Sequence, residues 1–284
     1  MISRLPRWLT IVALLLPGSI NPRLAHAASD SADAALVQRA LAAELGSVRD
    51  RQHPMRFRLH KTSPRLSTTK EIVETKDGAV ARLLAINDKP LNAADEAKEE
   101  ARLDTLLSDP SKQRHRKQAE ADDTNRVLKV VRALPNAFLY ERIGSNEGSH
   151  GQIEKFAFRP NPTFDAPDLE TQALTEMTGE IWIDATESRV VRLEGHLQQD
   201  VDFGWGILGR VYKGGSIVIE QAVVANHQWR IVHFQMVMSG RVFFKTRSFD
   251  TTEDESGFAS VPADLNYTDA IRLLREGSSL ASAR

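Results

Sequence analysis

The sequence predicts an α+β fold, a curved antiparallel β half-barrel with helices covering its concave face. Residues 178–249 form strand-like segments rich in Val, Ile, Phe and Trp, and their short connections favour antiparallel neighbours. Residues 92–134 are dense in Ala, Glu, Lys, Arg and Gln, which is typical of helices. Glycines that would let the strands bend recur through the strand region, at Gly195, Gly204, Gly206, Gly209, Gly214, Gly215 and Gly240.

The N-terminus has the pattern of a secretory signal peptide over residues 1–27. Arg4 and Arg7 give a basic start, residues 8–16 form a short apolar run, and Ala25-His26-Ala27 supplies a cleavage site. That run is too short to cross a bilayer, which needs about 20 residues. We therefore expect cleavage after Ala27 and a periplasmic mature protein without a transmembrane segment.

Composition narrows the classes of partner. The formal net charge is −1, and removal of Arg4, Arg7 and Arg23 with the signal peptide leaves −1 − 3 = −4. A mildly acidic chain is a poor nucleic-acid binder, so no nucleic-acid partner is expected. The chain has no cysteine, so it forms no disulfide and offers no thiol for a lipid anchor.

The rest of the chain is predicted to be one domain over residues 28–275, followed by a disordered tail over 276–284. A first helix is expected over 34–45, with Asp33 as its N-cap and Gly46 as its C-cap. A helical insert over 91–134 is expected to hold two helices around a solvated middle, with a short final helix over 267–275. Strands are expected at 55–60, 67–75, 79–87, 137–142, 152–159, 180–184, 189–197, 216–224, 229–239 and 242–249, and a charged turn at 251–256.

Two of these strands, 216–224 and 229–239, carry apolar residues on both faces. A sheet with one wet face would alternate apolar and polar residues, so part of this sheet needs cover on both sides. Sheet curvature could provide that cover by enclosing a cavity. The pattern alone favours the simpler explanation, a filled core without a ligand.

No signature of catalysis, metal binding or cofactor binding stands out. Residues 204–209 match GxGxxG but lack a βαβ frame, so a bend between strands explains them better than a dinucleotide site. The eight histidines are scattered, and His233, within a strand, is expected to be structural. A pair of catalytic acids stays open, because such pairs assemble only in space; the acids considered are Glu180, Asp184, Glu194 and Glu220.

Several segments carry a family resemblance: FAFRPNP at 156–162, MTGEIWID at 177–184, RVVRLE at 189–194, FGWGILGR at 203–210, KGG at 213–215 and SGR at 239–241. Together they resemble the LolA/LolB-like outer-membrane lipoprotein-sorting superfamily, in its uncharacterised bacterial branch, over residues 138–249. The resemblance implies a curved half-barrel closed by helices, and a periplasmic protein that holds acyl chains in its hydrophobic interior.

The first functional hypothesis is therefore a carrier or binder of a lipid or lipoprotein acyl chain that catalyses no reaction. The residues expected to line its cavity are Phe57, Trp182, Phe234, Met236 and Met238. The alternative is a cell-envelope interaction or sensor module of the same fold, with a partner protein and no lipid. A third hypothesis, a hydrolase, needs clustered acids or a Ser–His pair in a cleft.

Overall fold

A computed structural model describes residues 22–203, 209–242 and 244–282. Its helices are α1 (Pro22–Arg49), α2 (Ala93–Ser108), α3 (Pro110–Ala137), α4 (Leu169–Gln172) and α5 (Tyr267–Ser282), with 3-10 turns at Ala173–Glu176 and Ala225–His227. Its strands are β1 (Met55–Ser63), β2 (Leu66–Val73), β3 (Val80–Ile86), β4 (Lys89–Pro90), β5 (Phe138–Glu147), β6 (Gln152–Pro160), β7 (Met177–Asp184), β8 (Arg189–Leu197), β9 (Val201–Phe203), β10 (Gly209–Val211), β11 (Ser216–Val224), β12 (Gln228–Val242) and β13 (Lys245–Ser260).

All thirteen strands belong to one antiparallel sheet that does not close. The order across it is β4-β3-β2-β1-β13-β12-β11-β8-β7-β6-β5, and β10 joins β12 and carries β9 on its other side. β1 pairs with β13, so the first and last strands meet in the middle of the sheet. The predicted fold class, a curved antiparallel half-barrel with helices on its concave face, is confirmed.

The concave face is covered at the β5–β8 end by α1 and α3. Residues that pair directly across an antiparallel sheet point to the same face. Phe156, Ile181 and Leu193 form such a row through β6, β7 and β8. The main core lies between this row and the two helices, and includes Val37 and Leu41 of α1.

A second core lies on the other side of the sheet, against the hairpin of β2 and β3. Ile72 belongs to the concave face, so the next residue, Val73, points away from it and meets Val80. These two valines are fully buried beneath α2 and α5. The two helices of the insert therefore lie on opposite faces of the sheet: α3 covers the concave face, and α2 packs on the other.

Side chains of the insert form hydrogen bonds with backbone N–H and C=O groups along the outer edge of β3. The Leu83 N–H donates to Glu99 at 2.8 Å, the Ala79 N–H donates to Glu120 at 2.9 Å, and Arg102 donates to the Ala81 carbonyl at 2.5 Å. An uncovered edge strand offers its backbone to other chains. The insert thus closes one of the two sheet edges.

The insert forms two helices, as predicted, and its solvated polar middle belongs to α3. Asp109 ends α2 and caps α3, accepting the Ser111 N–H at 3.0 Å. Pro135, the expected end, lies inside α3, which continues to Ala137. With 28 residues, α3 is about 42 Å long, enough to run from the β2–β3 turn to β5.

Three predicted boundaries are wrong. α1 spans Pro22–Arg49 and contains Gly46, the residue expected to cap its end. The segment expected to form a disordered tail is helical up to Ser282, since no proline follows Arg275 to stop α5. The charged turn expected at 251–256 is part of β13.

The charged segment is a strand because its acids find partners on the neighbouring strands. Glu253 pairs with Lys61 of β1 at 2.6 Å, and Asp254 with His233 of β12 at 2.7 Å. These contacts also confirm that His233 has a structural partner.

Part of the N-terminal and glycine-rich predictions lies outside the described residues. Residues 1–21 of the expected signal peptide and residues 204–208 of the GxGxxG match are not described, while residues 22–27 begin α1. Within residues 22–203, 209–242 and 244–282, no helix is long and apolar enough to cross a membrane.

Candidate ligand-binding face

A row of apolar side chains runs along β12 on the concave face. Phe234, Met236 and Met238 alternate inward along the strand, and Phe234 and Met236 pair with Ile219 and Ile217 of β11. All five side chains are half-buried. These five residues are called the concave strip below.

The concave strip starts where the main core ends. Ile217 packs against that core and pairs with Gly195 of β8. A Cβ atom at Gly195 would lie 2.8 Å from the Met177 sulfur and 3.2 Å from Ile217 Cγ2. The missing side chain therefore lets the strip join the core without a gap.

At its other end, the concave strip continues onto the hairpin of β12 and β13. Met238 pairs with Phe249, whose side chain is 58% exposed. The apolar surface thus runs from the core under α1 and α3 to the end of this hairpin.

The other flank of the concave strip is charged. Glu253 lies opposite Phe234 and pairs with Lys61, and Glu255, two residues along β13, faces Leu59. Burial, together with the charges of Glu74 and Glu253 and against the charge of Arg230, raises the pKa of Glu255 to about 7. An apolar strip beside a charged flank is suited to an amphiphile, with its chain on one part and its polar end on the other.

The shifted pKa of Glu255 predicts a dependence of stability on pH. The ordinary pKa of 4.5 is raised to about 7, so the folded state holds the proton that the unfolded state releases. The free energy of unfolding should therefore fall as pH rises from about 4.5 to about 7. We expect Glu255→Gln to match the wild type at pH 4.5 and to be about 2 kcal/mol more stable at pH 8, a value discounted because the carboxyl is only half-buried.

Urea unfolding at the two pH values measures this effect. Glu141→Gln, a substitution at an exposed position of β5, is the control. Its small effect on the free energy of unfolding should be the same at both pH values. Equal stability of Glu255→Gln and the wild type at pH 8 would contradict the prediction.

The structure places four of the five predicted lining residues on the concave face. Phe234, Met236 and Met238 belong to the concave strip. Phe57 is on the same face but stacks on Phe258, with ring centroids 5.4 Å apart. The acids of β13 separate it from the strip.

Trp182, the fifth predicted lining residue, lies on the opposite, convex face. Strand alternation points Ile181 into the core and Trp182 outward. Its ring lies between Lys155, with Nζ 3.9 Å from the centroid, and Arg192, at 5.5 Å. Its Nε1–H donates to Glu180 at 3.0 Å.

Sequence reasoning missed Ile217, Ile219, Glu253 and Glu255 at this face. The alternation of 216–224 had already put the two isoleucines together on one face. Only the strand register could show that this is the face of Phe234 and Met236.

A separate cleft of about 460 Å³ opens between α1, α3 and the β2–β3 turn. Its lining mixes charged and apolar side chains: Val48, Ala79, Arg116, Ala119, Glu120, Asp123, Thr124 and Val127. None of the predicted lining residues belongs to it. The concave strip is therefore the better candidate for an acyl chain.

The acids considered for catalysis have structural partners. Asp184 accepts the backbone N–H groups of Thr186 and Glu187, both at 2.9 Å. Glu194 and Glu220 both pair with Arg192. Within the described part of the chain, no group of three His, Asp or Glu side chains is arranged to hold a metal ion.

Comparison with known proteins gives one structural likeness. No family model matches the chain, and no curated protein matches it. Among solved structures, the chain is similar to a crystal structure described as an outer membrane lipoprotein-sorting protein domain from Vibrio parahaemolyticus. The identity is 9%, the TM-score is 0.30, and the match covers 81% of this chain and 94% of that one. The fold class rests on the strand order and helix packing of this chain itself.

Proposed function

We propose that this protein is a periplasmic carrier or binder of lipid or lipoprotein acyl chains, held on the concave strip without a chemical step. The observation that carries the proposal is the strip itself, five half-buried apolar side chains continuous with the main core. Each methylene that it removes from water contributes about 0.8 kcal/mol.

The side chains on the convex face support the choice of the concave face as the binding surface. On the same strands, the convex face carries charges that pair with one another, including Arg192 with Glu194 and Glu220. On β12 the concave face carries Phe234, Met236 and Met238 in an unbroken apolar row, whereas the convex positions between them are Gln235 and Val237. The two methionines of the strip can adjust to chains of different shape.

The proposed location rests on the N-terminal pattern of residues 1–27, a basic start, an apolar run and a small-x-small site. We propose that the exported chain is one domain over residues 28–275. Acyl chains of membrane origin are available in that compartment.

Lipid extraction tests the proposed function. We expect the chain purified from a periplasmic fraction to carry lipid detectable by mass spectrometry, and the delipidated protein to take up a fluorescent fatty acid saturably. A preparation without lipid that also fails to take up the probe would overturn the proposal.

One observation favours the alternative, an envelope interaction module. In the described part of the chain no strand pairs with the outer edge of β5, and Leu139 and Ile143 of β5 are 38% and 51% exposed. An open edge can accept a strand from a partner. Recovery of one envelope protein by affinity capture, without bound lipid, would favour this alternative.

A further inference from the structure

The β12–β13 hairpin extends past β1 on the β13 side, while β10 flanks β12 over residues 240–242 on the other side. β1 pairs with β13 only from Thr252 onward, so residues 245–251 have β12 as their one neighbouring strand in the described chain. These seven residues correspond to about 23 Å of strand. The hairpin is thus an arm at the end of the concave face.

The tip of this arm exposes an aromatic side chain. Val242 pairs with Lys245, and Phe244 lies in the turn between the two strands. Phe244 is 97% exposed. Phe249, seated further down on the concave side, is 58% exposed. Removing the Phe244 ring from water by burial against an apolar surface would therefore be favourable.

Two exposed cations follow the tip directly. Among the residues that the structure describes, Lys245 and Arg247 form no ion pair. Other cations of the sheet do pair with acids, as Lys61 does with Glu253 and Arg210 with Asp202. The arm therefore combines an unburied aromatic ring with unmatched positive charge.

We propose that this arm docks the protein on the surface of a membrane that contains anionic phospholipid. Phe244 enters the interface between headgroups and acyl chains, and Lys245 and Arg247 contact lipid phosphates. A two-residue tip is far smaller than the roughly 800 Å² that each partner contributes to a stable protein interface. A bilayer needs only a few apolar side chains and nearby cations to hold a peripheral protein.

The geometry connects this contact to the concave strip, because Phe249 pairs with Met238 at the end of that strip. Docking through the arm would bring the strip to the membrane surface. The docking itself does not depend on acyl binding, so the two proposals can fail separately.

Vesicle flotation tests the docking. The protein is purified from a periplasmic fraction, and its N-terminus is checked by mass. We expect it to bind phosphatidylcholine vesicles that contain about 30% phosphatidylglycerol at low salt, because that fraction makes the vesicle surface negative. It should bind pure phosphatidylcholine vesicles far more weakly. Phe244→Ser should weaken binding by about ten-fold or more, and the double variant Lys245→Gln/Arg247→Gln by about thirty-fold.

Matched substitutions at exposed positions distant in sequence are the controls. Leu66→Ser removes an apolar side chain that is 47% exposed, and Lys89→Gln removes an exposed cation of β4. Both should bind as the wild type does. Equal binding to the two vesicle types, no binding of the wild type, or equal losses in the arm and control variants would overturn the proposal.

Discussion

We expect Gly179→Ala to lose about 3 kcal/mol or more of stability, because a side chain at this position has no space. A Cβ atom there would lie 1.8 Å from the carbonyl oxygen of Glu194 and 2.8 Å from Cζ of Phe158. The first contact is with the backbone of β8, which is held by β7 and β11 on its two sides. The strands cannot separate there without breaking the sheet above the main core.

Urea denaturation of the wild type and the variant measures this loss. Gly144→Ala in β5 is the matched control, because its Cβ would meet nothing within 4 Å. It should change stability by less than about 1 kcal/mol. A Gly179→Ala variant as stable as the Gly144→Ala variant would contradict the close packing of β7 on β8.

The second large effect concerns ligand binding. We expect Met236→Glu to weaken the binding of a long-chain fatty acid by roughly fifty-fold, because a carboxylate there prevents contact with about three methylenes at about 0.8 kcal/mol each. Met236 lies in the middle of the concave strip, between Phe234 and Met238.

Val237→Glu is the control for this substitution. Val237 is the next residue of β12, is 39% exposed, and points to the convex face. Binding of a fluorescent fatty acid by this variant should equal that of the wild type. If both variants bind equally well, or lose binding equally, the acyl chain does not lie on the concave face.

Local patterns in the sequence predicted most of the strands. β8 and β11 have the predicted bounds, and the strands predicted at 67–75 and 79–87 are joined by a turn in which Gly78 has φ 93°. In these segments, the alternation of side chains and the turn residues carry the information within a few residues.

The charged end of β13 could not be predicted in the same way. Glu253 is held in a strand by Lys61, 192 residues away. Nothing close in sequence distinguishes such a segment from a solvated turn.

Phe234, Met236 and Met238 could be placed on one face from the sequence, because one strand holds all three at alternate positions. The face of Trp182 could not be predicted, because a single strand does not show which of its faces is inward. The acidic flank required the register between β12 and β13.

Photolabelling with a diazirine analogue of palmitic acid tests most directly whether an acyl chain lies on the concave strip. After irradiation, mass spectrometry of the peptides should find adducts on β11 and β12 at Ile217, Ile219, Phe234, Met236 and Met238. Excess unlabelled palmitate should abolish these adducts, and Trp182 on the convex face should stay unlabelled. Adducts spread over both faces, concentrated at Trp182, or unaffected by the competitor would contradict the account.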